Sequence, residues 1–320
     1  MTRGMAGMIG LLGLLALATL SLFVGVIDMS PTDLVRDPEA LRLVAQSRFP
    51  RTIAVIITGA VLAISGTIMQ QILRNRFVEP MTAGTGQGAA LGILIATVVM
   101  PAAPLLLRMT LASATALIAS LGFLAIVRRL PPTQPLLTPL VGMVYGGLLG
   151  AAVTFFAYQY DLLQYIDVWM SGEFSGVLRG RYELLWIAAA IGALTYLIAD
   201  QLAIVGLGRT ASVNLGLNYM QVVLLGLVAV SIVTALTVVT VGMIPFVGLV
   251  VPNVISRRFG DNLRATLPIV ALMGAGLVLV SDILGRLLRH PFEIPVGTVF
   301  GVIGAVVFLW LLYAGPRHAR

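Results

Sequence analysis

The chain has 320 residues, of which 59% are hydrophobic and only 10% charged, with a formal net charge of +7. A soluble domain carries about 25% charged residues, so too little polar surface is present to cover a water-soluble globule; the mean hydropathy of +1.02 agrees. Cysteine is absent, which excludes a disulfide, a thiolate metal site and a cysteine nucleophile.

The apolar residues form long runs and do not alternate, so the spans are helices and not barrel strands. At about 20 residues per membrane helix, the apolar content suffices for roughly nine or ten spans. Little remains for a soluble domain, and an ATPase or large binding domain must sit on another chain. All 20 basic residues are arginine. The isoelectric point of 10.4 is read as basic cytoplasmic loops and not as a nucleic-acid surface.

In chain order, the run from Met1 carries one charge, Arg3, and reads as a retained first span at 5–27, because no small-residue cleavage site ends it. Further spans are expected at 52–72, 84–100, 106–127 and 138–158. Pro131, Pro132, Pro135 and Pro139 favour a loop before the last of these. A short amphipathic piece near 165–175 is expected at the interface, with Trp169 as anchor. A span at 184–204 follows. The charge-free stretch 210–256 is too long for one helix. Asn214, Gly216 and Asn218 give it a polar start, and Gly242, Pro245, Gly248 and Pro252 break the rest. It divides into 221–241 and a short piece at 246–256. Spans at 266–284 and 295–314 complete an all-α, polytopic membrane protein of about ten transmembrane helices. Ten spans place both termini on one side. Short loops holding Arg74 and Arg76, Arg128 and Arg129, Arg257 and Arg258, and the terminal Arg3, Arg317 and Arg320 make that side cytoplasmic.

The span interiors are nearly empty of the buried acids, histidines and lysines that ion-coupled transporters place there. Asp200 and Asp282 stand near expected span ends, where capping or interface pairing accounts for them. His290 and His318 are not placed for a protease or metal path, and no GxxxxGK[ST] phosphate loop exists. Small residues such as Gly146, Gly147 and Gly150 serve either close helix packing or a glycine-lined path. A passive helical body remains, needing an external energy source and docking surfaces. On the outer side, Arg48-Phe49-Pro50-Arg51 can present charge to carboxylates of a soluble partner or anchor to lipid phosphate. On the inner side, Arg209 to Gly216 is either a short helix suited to a partner's groove or an ordinary loop. A secondary transporter or channel acting without an ATPase, and an intramembrane enzyme, are the competing classes.

These residues stand in an order that resembles the FecCD-type permease subunits of ABC importers, the group that includes vitamin B12 and iron–siderophore permeases. The first block is Arg48-Phe49-Pro50-Arg51, Gly59, Ser65-Gly66, Gln70, Arg74-Asn75, Pro80 and Gly88-Ala89. The second runs from Gly242 to Pro252, then Arg257 and Gly260-Asp261. The third is Gly274-Ala275, Asp282, Arg286 and Glu293-Ile294-Pro295-Val296-Gly297. The resemblance covers about residues 45 to 315. It implies a single transmembrane permease domain over 1–320, without catalytic residues, cofactor or metal site. It also implies a permease dimer with the path at its interface, ATP-binding cassette subunits below, and a substrate-binding protein docking outside.

By position, Arg48, Arg51 and Arg286 resemble the family's outer arginines, which meet acidic residues of the binding protein. Ala211, Ser212, Asn214, Leu215 and Gly216 fall on the segment that contacts the ATPase, and Leu137, Gly142 and Met143 on the inner gate. The usual Asn-Pro-Leu reads Asn75-Arg76-Phe77, followed by Val78 to Thr85, and the usual Pro-His reads Pro252-Asn253. With the segment Trp169 to Gly176, this combination resembles the branch importing iron on catecholate siderophores, whose permeases often pair with a different sibling. Hydroxamate, haem and cobalamin chelates stand as alternative cargoes. A ferric siderophore holds its metal in its own donors, so the permease needs a weakly interacting path and no iron ligands.

Overall fold

The computed structural model describes residues 3–25, 37–81, 84–127, 129–130, 137–180 and 182–313. Among these, every regular element is helical. The helices are α1 (Arg3–Phe23), α2 (Pro38–Leu73), α3 (Thr85–Val99), α4 (Leu105–Val127), α5 (Leu137–Gln159), α6 (Leu163–Met170), α7 (Leu185–Gly206), α8 (Arg209–Asn214), α9 (Tyr219–Val241), α10 (Val247–Phe259), α11 (Leu263–Leu287) and α12 (Val296–Tyr313). Eight are long and apolar enough to cross a membrane. The expected spans at 84–100 and 246–256 fall on α3 and α10, two of the four shorter helices, so each of the ten expected spans coincides with a helix. Thr82, Ala83, Arg128, Pro131, Pro132, Pro135, Arg317 and Arg320 lie outside the described residues.

Two boundaries differ from the sequence expectation. First, α2 begins at Pro38, well before the apolar run at 52. Asp37 caps it by accepting from the Glu39 N–H, and proline follows at the first helical position. The charged first turns hid this extension, which passes through a π turn at Val44–Arg48 before the apolar part. Second, after its polar start at 215–218 the long stretch breaks only at 242–246, and Gly248 and Pro252 lie inside α10. Proline has no N–H, so the carbonyl of Gly248, four residues back, loses its helical partner. The Gln70 side-chain amide donates to that carbonyl at 3.1 Å. The helix therefore continues because a neighbouring helix supplies the missing donor.

In hydrocarbon an unpaired backbone group is costly, so wherever a helix breaks a side chain must repair it. The segment 74–81 is secured to α10 in this way. The Phe246 N–H, at a left-handed residue with φ 69°, donates to Glu79 Oε1 at 3.0 Å. Asn253 Nδ2 donates to the carbonyls of Arg76 at 2.6 Å and Leu249 at 2.7 Å. Asn218 and Asn262 cap the first turns of α9 and α11.

Helices α2 and α9 form the centre; 78% and 72% of their most apolar windows are buried, against 11% for α1 and 22% for α5. Helix α2 crosses α11 at Gly59 and Gly274 and α10 at Gly66 and Gly248. A methyl group at Gly59, Gly66 or Gly274 would overlap the backbone of the facing helix, and one at Gly248 would press on that of α2. The short helix α6 buries Ile166, and its Tyr165 and Trp169, with rings 5.8 Å apart, are partly buried against the core; it begins two residues before the expected interfacial piece. Gly172, with φ 67°, lies where the backbones of Met243 and Gly297 approach too closely for a side chain. Its carbonyl accepts from the Gly297 N–H at 2.8 Å.

Gln70→Leu keeps the volume but removes the donor to Gly248. A buried acceptor left unpaired costs about 1–3 kcal/mol, so the detergent-solubilised protein is expected to melt at a lower temperature. Adding Pro252→Ala, which restores an N–H, should recover most of the loss.

Candidate docking and coupling faces

The three arginines singled out in the sequence lie at one end of the molecule, where two carboxylates join Arg51 and Arg286. Arg48 ends the π turn of α2, Arg51 lies in the next turn, and Asp282 and Arg286 are one turn apart on α11. Asp282 is fully buried. Its Oδ1 accepts from Arg51 Nε at 3.1 Å and Nη2 at 2.8 Å. Its Oδ2 stands 2.6 Å from Arg286 Nη2, an ion pair without hydrogen-bond alignment. Arg51 Nη1 donates to both oxygens of Glu293, at 3.0 and 2.8 Å.

Arg48 and Arg286 have a further task. Helix α1 ends with carbonyls that no intrahelical N–H reaches. Arg48 Nη1 donates to the carbonyls of Leu22 at 2.9 Å and Phe23 at 3.0 Å. Arg286 Nη1 donates to those of Ser21 at 3.0 Å and Val24 at 2.7 Å, and its Nη2 to Ser21 Oγ at 2.7 Å. Two cations thus sit on the negative end of the α1 dipole, where charge is best accommodated. Both are buried, at 7% and 5% exposure. Arg51 and Glu293 are the members that reach the surface, with side chains 13% and 27% exposed. Arg51 and Arg286 face Asp282 and Glu293 in a charge-balanced network, with Arg48 beside it on the end of α1. Sequence reasoning named the arginines but missed Glu293 as their partner. The available signals were the four-residue spacing of Asp282 and Arg286 and an isolated acid just before the last span.

The short helix α8 lies at the other end of α2 and α11. Gly208 with φ 104° and Gly216 with φ 78° flank it, conformations that suit glycine. Ser212 faces the permease itself and donates to the carbonyls of Gly208 at 2.8 Å and Ile204 at 3.0 Å. Asn214, Leu215 and Gly216 are exposed and Ala211 is half-buried; Val213 and Leu215 put apolar surface into the open. Beside it opens a polar cavity of about 400 Å³ lined by Gln71, Arg74, Asn75, Gly206, Asn253 and Asp261, among others. Arg76 pairs with Asp261 across its mouth at 2.8 Å. Asp200, the other acid read as a cap or interface partner, pairs with Arg264. Both described chain ends are at this end: Arg3 Nη2 donates to the Phe259 carbonyl at 2.6 Å, and Arg257 Nη2 donates to that of Leu311 at 2.5 Å. At 1.5 Å per residue, the 25 residues of Phe49–Leu73 set the two faces about 37 Å apart.

The residues expected at the inner gate lie on the first two turns of α5. Gly142 is buried against the chain, Leu137 is half-buried, and Met143 is exposed. Met143, Val144 and Leu148 form an outward apolar face on α5. Tyr145 ties the helix down by donating from its hydroxyl to the Ala119 carbonyl at 2.9 Å.

A multi-pass helical body with broken spans, a charged face at one end and a small projecting helix at the other is the architecture of a transport permease that works with soluble partners. The chain belongs to the FecCD transport family, whose sequence profile matches residues 13–314. It is 45% identical over 304 residues to the petrobactin import system permease protein YclN of Bacillus subtilis, covering 94% of this chain and 96% of that protein. It is 42% identical over 299 residues to the ferric-anguibactin transport system permease protein FatD of Vibrio anguillarum, covering 93% and 95%. A solved metal-chelate type ABC transporter in an inward-facing conformation matches with a TM-score of 0.83 at 26% identity, over 97% of this chain and 99% of that one. The chain is thus a multi-pass membrane permease subunit of an ABC importer family, which sets the stand-alone transporter and the intramembrane enzyme aside.

Arg286→Met removes two carbonyl partners of α1 and one partner of a fully buried carboxylate. Breaking a buried pair costs about 3–5 kcal/mol. The variant is expected to show reduced thermal stability in detergent and faster proteolysis near residue 25, whereas Arg42→Met, in an exposed pair with Glu39, should match the parent.

Proposed function

We propose that this chain, as one transmembrane domain over 1–320, forms half of the membrane path of an ATP-driven importer for ferric siderophores of the catecholate class. The cargo is supported by the relatives named for petrobactin and ferric-anguibactin transport and by the departures at Asn75-Arg76-Phe77 and Pro252-Asn253. The second half of the path is a sibling permease facing the outward apolar surface of α5, with Leu137, Gly142 and Met143 at the inner gate. Lipid covers the remaining apolar faces. Both termini are cytoplasmic, and the α8 end faces the ATP-binding cassette subunits.

The observation that carries the mechanism is that α2 and α11 run from the arginine cluster to the α8 end. A loaded binding protein presents a carboxylate to Arg51, supported by Arg48 and Arg286. Closure of the ATPase dimer pushes on Ala211, Asn214, Leu215 and Gly216, while Ser212 holds the segment to α7. Flanking glycines let α8 tilt, and the helices rock between outward and inward access. The chain itself performs no covalent chemistry.

Reconstitution with the ATPase and binding protein tests both faces. Arg51→Glu is expected to weaken the binding protein's affinity by about tenfold or more, because a docking cation becomes a repelling anion. Leu215→Asp should leave that affinity intact but uncouple ATP hydrolysis from uptake of the ferric siderophore. Parent-like uptake in both variants would remove the proposed roles of both faces.

A further inference from the structure

Arg51 carries five donors in a rigid fork, and the two carboxylates it binds differ in one respect. Asp282 is fully buried, fixed in the middle of a helical turn and shared with Arg286. Glu293 lies on the connection between α11 and α12, its side chain 27% exposed, beside the exposed Leu288 and Phe292. Only the Arg51 Nη1 edge faces Glu293; Nε and Nη2 face inward to Asp282. A carboxylate arriving from outside meets the Nη1 edge first and finds it taken.

We propose that Glu293 is the internal ligand of the docking arginine, and that a carboxylate of the substrate-binding protein takes its place when the two proteins meet. The proposal rests on the docking reading above. It makes docking an exchange of one carboxylate for another, with Asp282 as the fixed counter-ion that holds the guanidinium in place. The exchange conserves charge at Arg51: one carboxylate arrives as that of Glu293 turns to water.

Exchange also has a mechanical outcome. Glu293 is two residues before Pro295, and α12 begins at Val296. While Glu293 holds Arg51, the outer end of α12 is tied to α2. Its release leaves that end held by the Ile294 N–H to the Gly285 carbonyl at 2.9 Å and the Gly297 N–H to the Gly172 carbonyl at 2.8 Å. The docked state therefore frees α12 from α2 while leaving it attached to α11 and to the segment after α6.

The test measures binding of the loaded binding protein to the reconstituted permease–ATPase complex for the parent, Glu293→Gln and Arg51→Glu. Glutamine keeps the shape and one acceptor but loses the charge that competes with the partner. Removing one charge within hydrogen-bond distance of the site is expected to tighten binding about tenfold; Arg51→Glu weakens it. Unchanged or weaker binding by Glu293→Gln, alongside weakening by Arg51→Glu, overturns the exchange and leaves docking standing. Unchanged binding by Arg51→Glu overturns the docking reading and the exchange with it. A second measurement does not depend on altering the pair. The chain has no cysteine, so spin labels at Leu41→Cys and Phe292→Cys, both exposed positions, report the distance from α2 to the connection. It should lengthen when the binding protein docks; a docked complex with an unchanged distance overturns the exchange.

Discussion

In the hydrocarbon interior no water is present to take up a stray N–H or carbonyl, and this constraint shapes each irregular point of the permease. Most of the chain meets it by being helical. Where a helix stops or loses a donor, a polar side chain from elsewhere fills the gap. Gln70 reaches the Gly248 carbonyl, Glu79 receives the Phe246 N–H, and Asn253 binds the connection after α2. Arg48 and Arg286 close the end of α1. Several of the amide and charged side chains within the body therefore stand at the breaks, whereas the helix interiors between them hold buried hydroxyls such as Thr58, Ser120 and Thr234 among apolar residues.

The same economy sets where partners can act. Helices α2 and α11 touch through glycines, so their backbones are close and little side-chain play separates them. An event at Arg51 or Asp282 is felt by both rods, whose far ends border the cavity beside α8. Peripheral helices such as α1 and α5 are mostly exposed and have freedom to shift against lipid or a second subunit. A stiff centre with looser flanks is suited to alternating access, in which packed units move as bodies.

Much of this was legible in the sequence. Long uncharged runs located the spans, because a membrane helix must be apolar over about 20 residues. The polar start at Asn214 to Asn218 and the break after 241 were readable from cap and breaker residues. The early start of α2 was hidden because its first turns carry Glu39 and Arg42. Pro252 was misleading for a different reason: its effect on a helix depends on whether a donor stands nearby, and Gln70 is distant in sequence. The arginine cluster was found in part. Residue type and order pointed to Arg48, Arg51 and Arg286, but burial decides which one reaches the surface, and burial of an arginine requires tertiary contacts that no local pattern encodes. Glu293 was missed as a partner for the same reason.

The repair at Pro252 has an evolutionary corollary. A proline at 252 and an amide at 70 are each tolerable because the other is present. A lineage that regains an N–H at 252 relaxes the need for glutamine at 70, while one that loses the amide first passes through a less stable intermediate. Drift at these two sites is therefore expected to be ordered and correlated, although they lie on different helices.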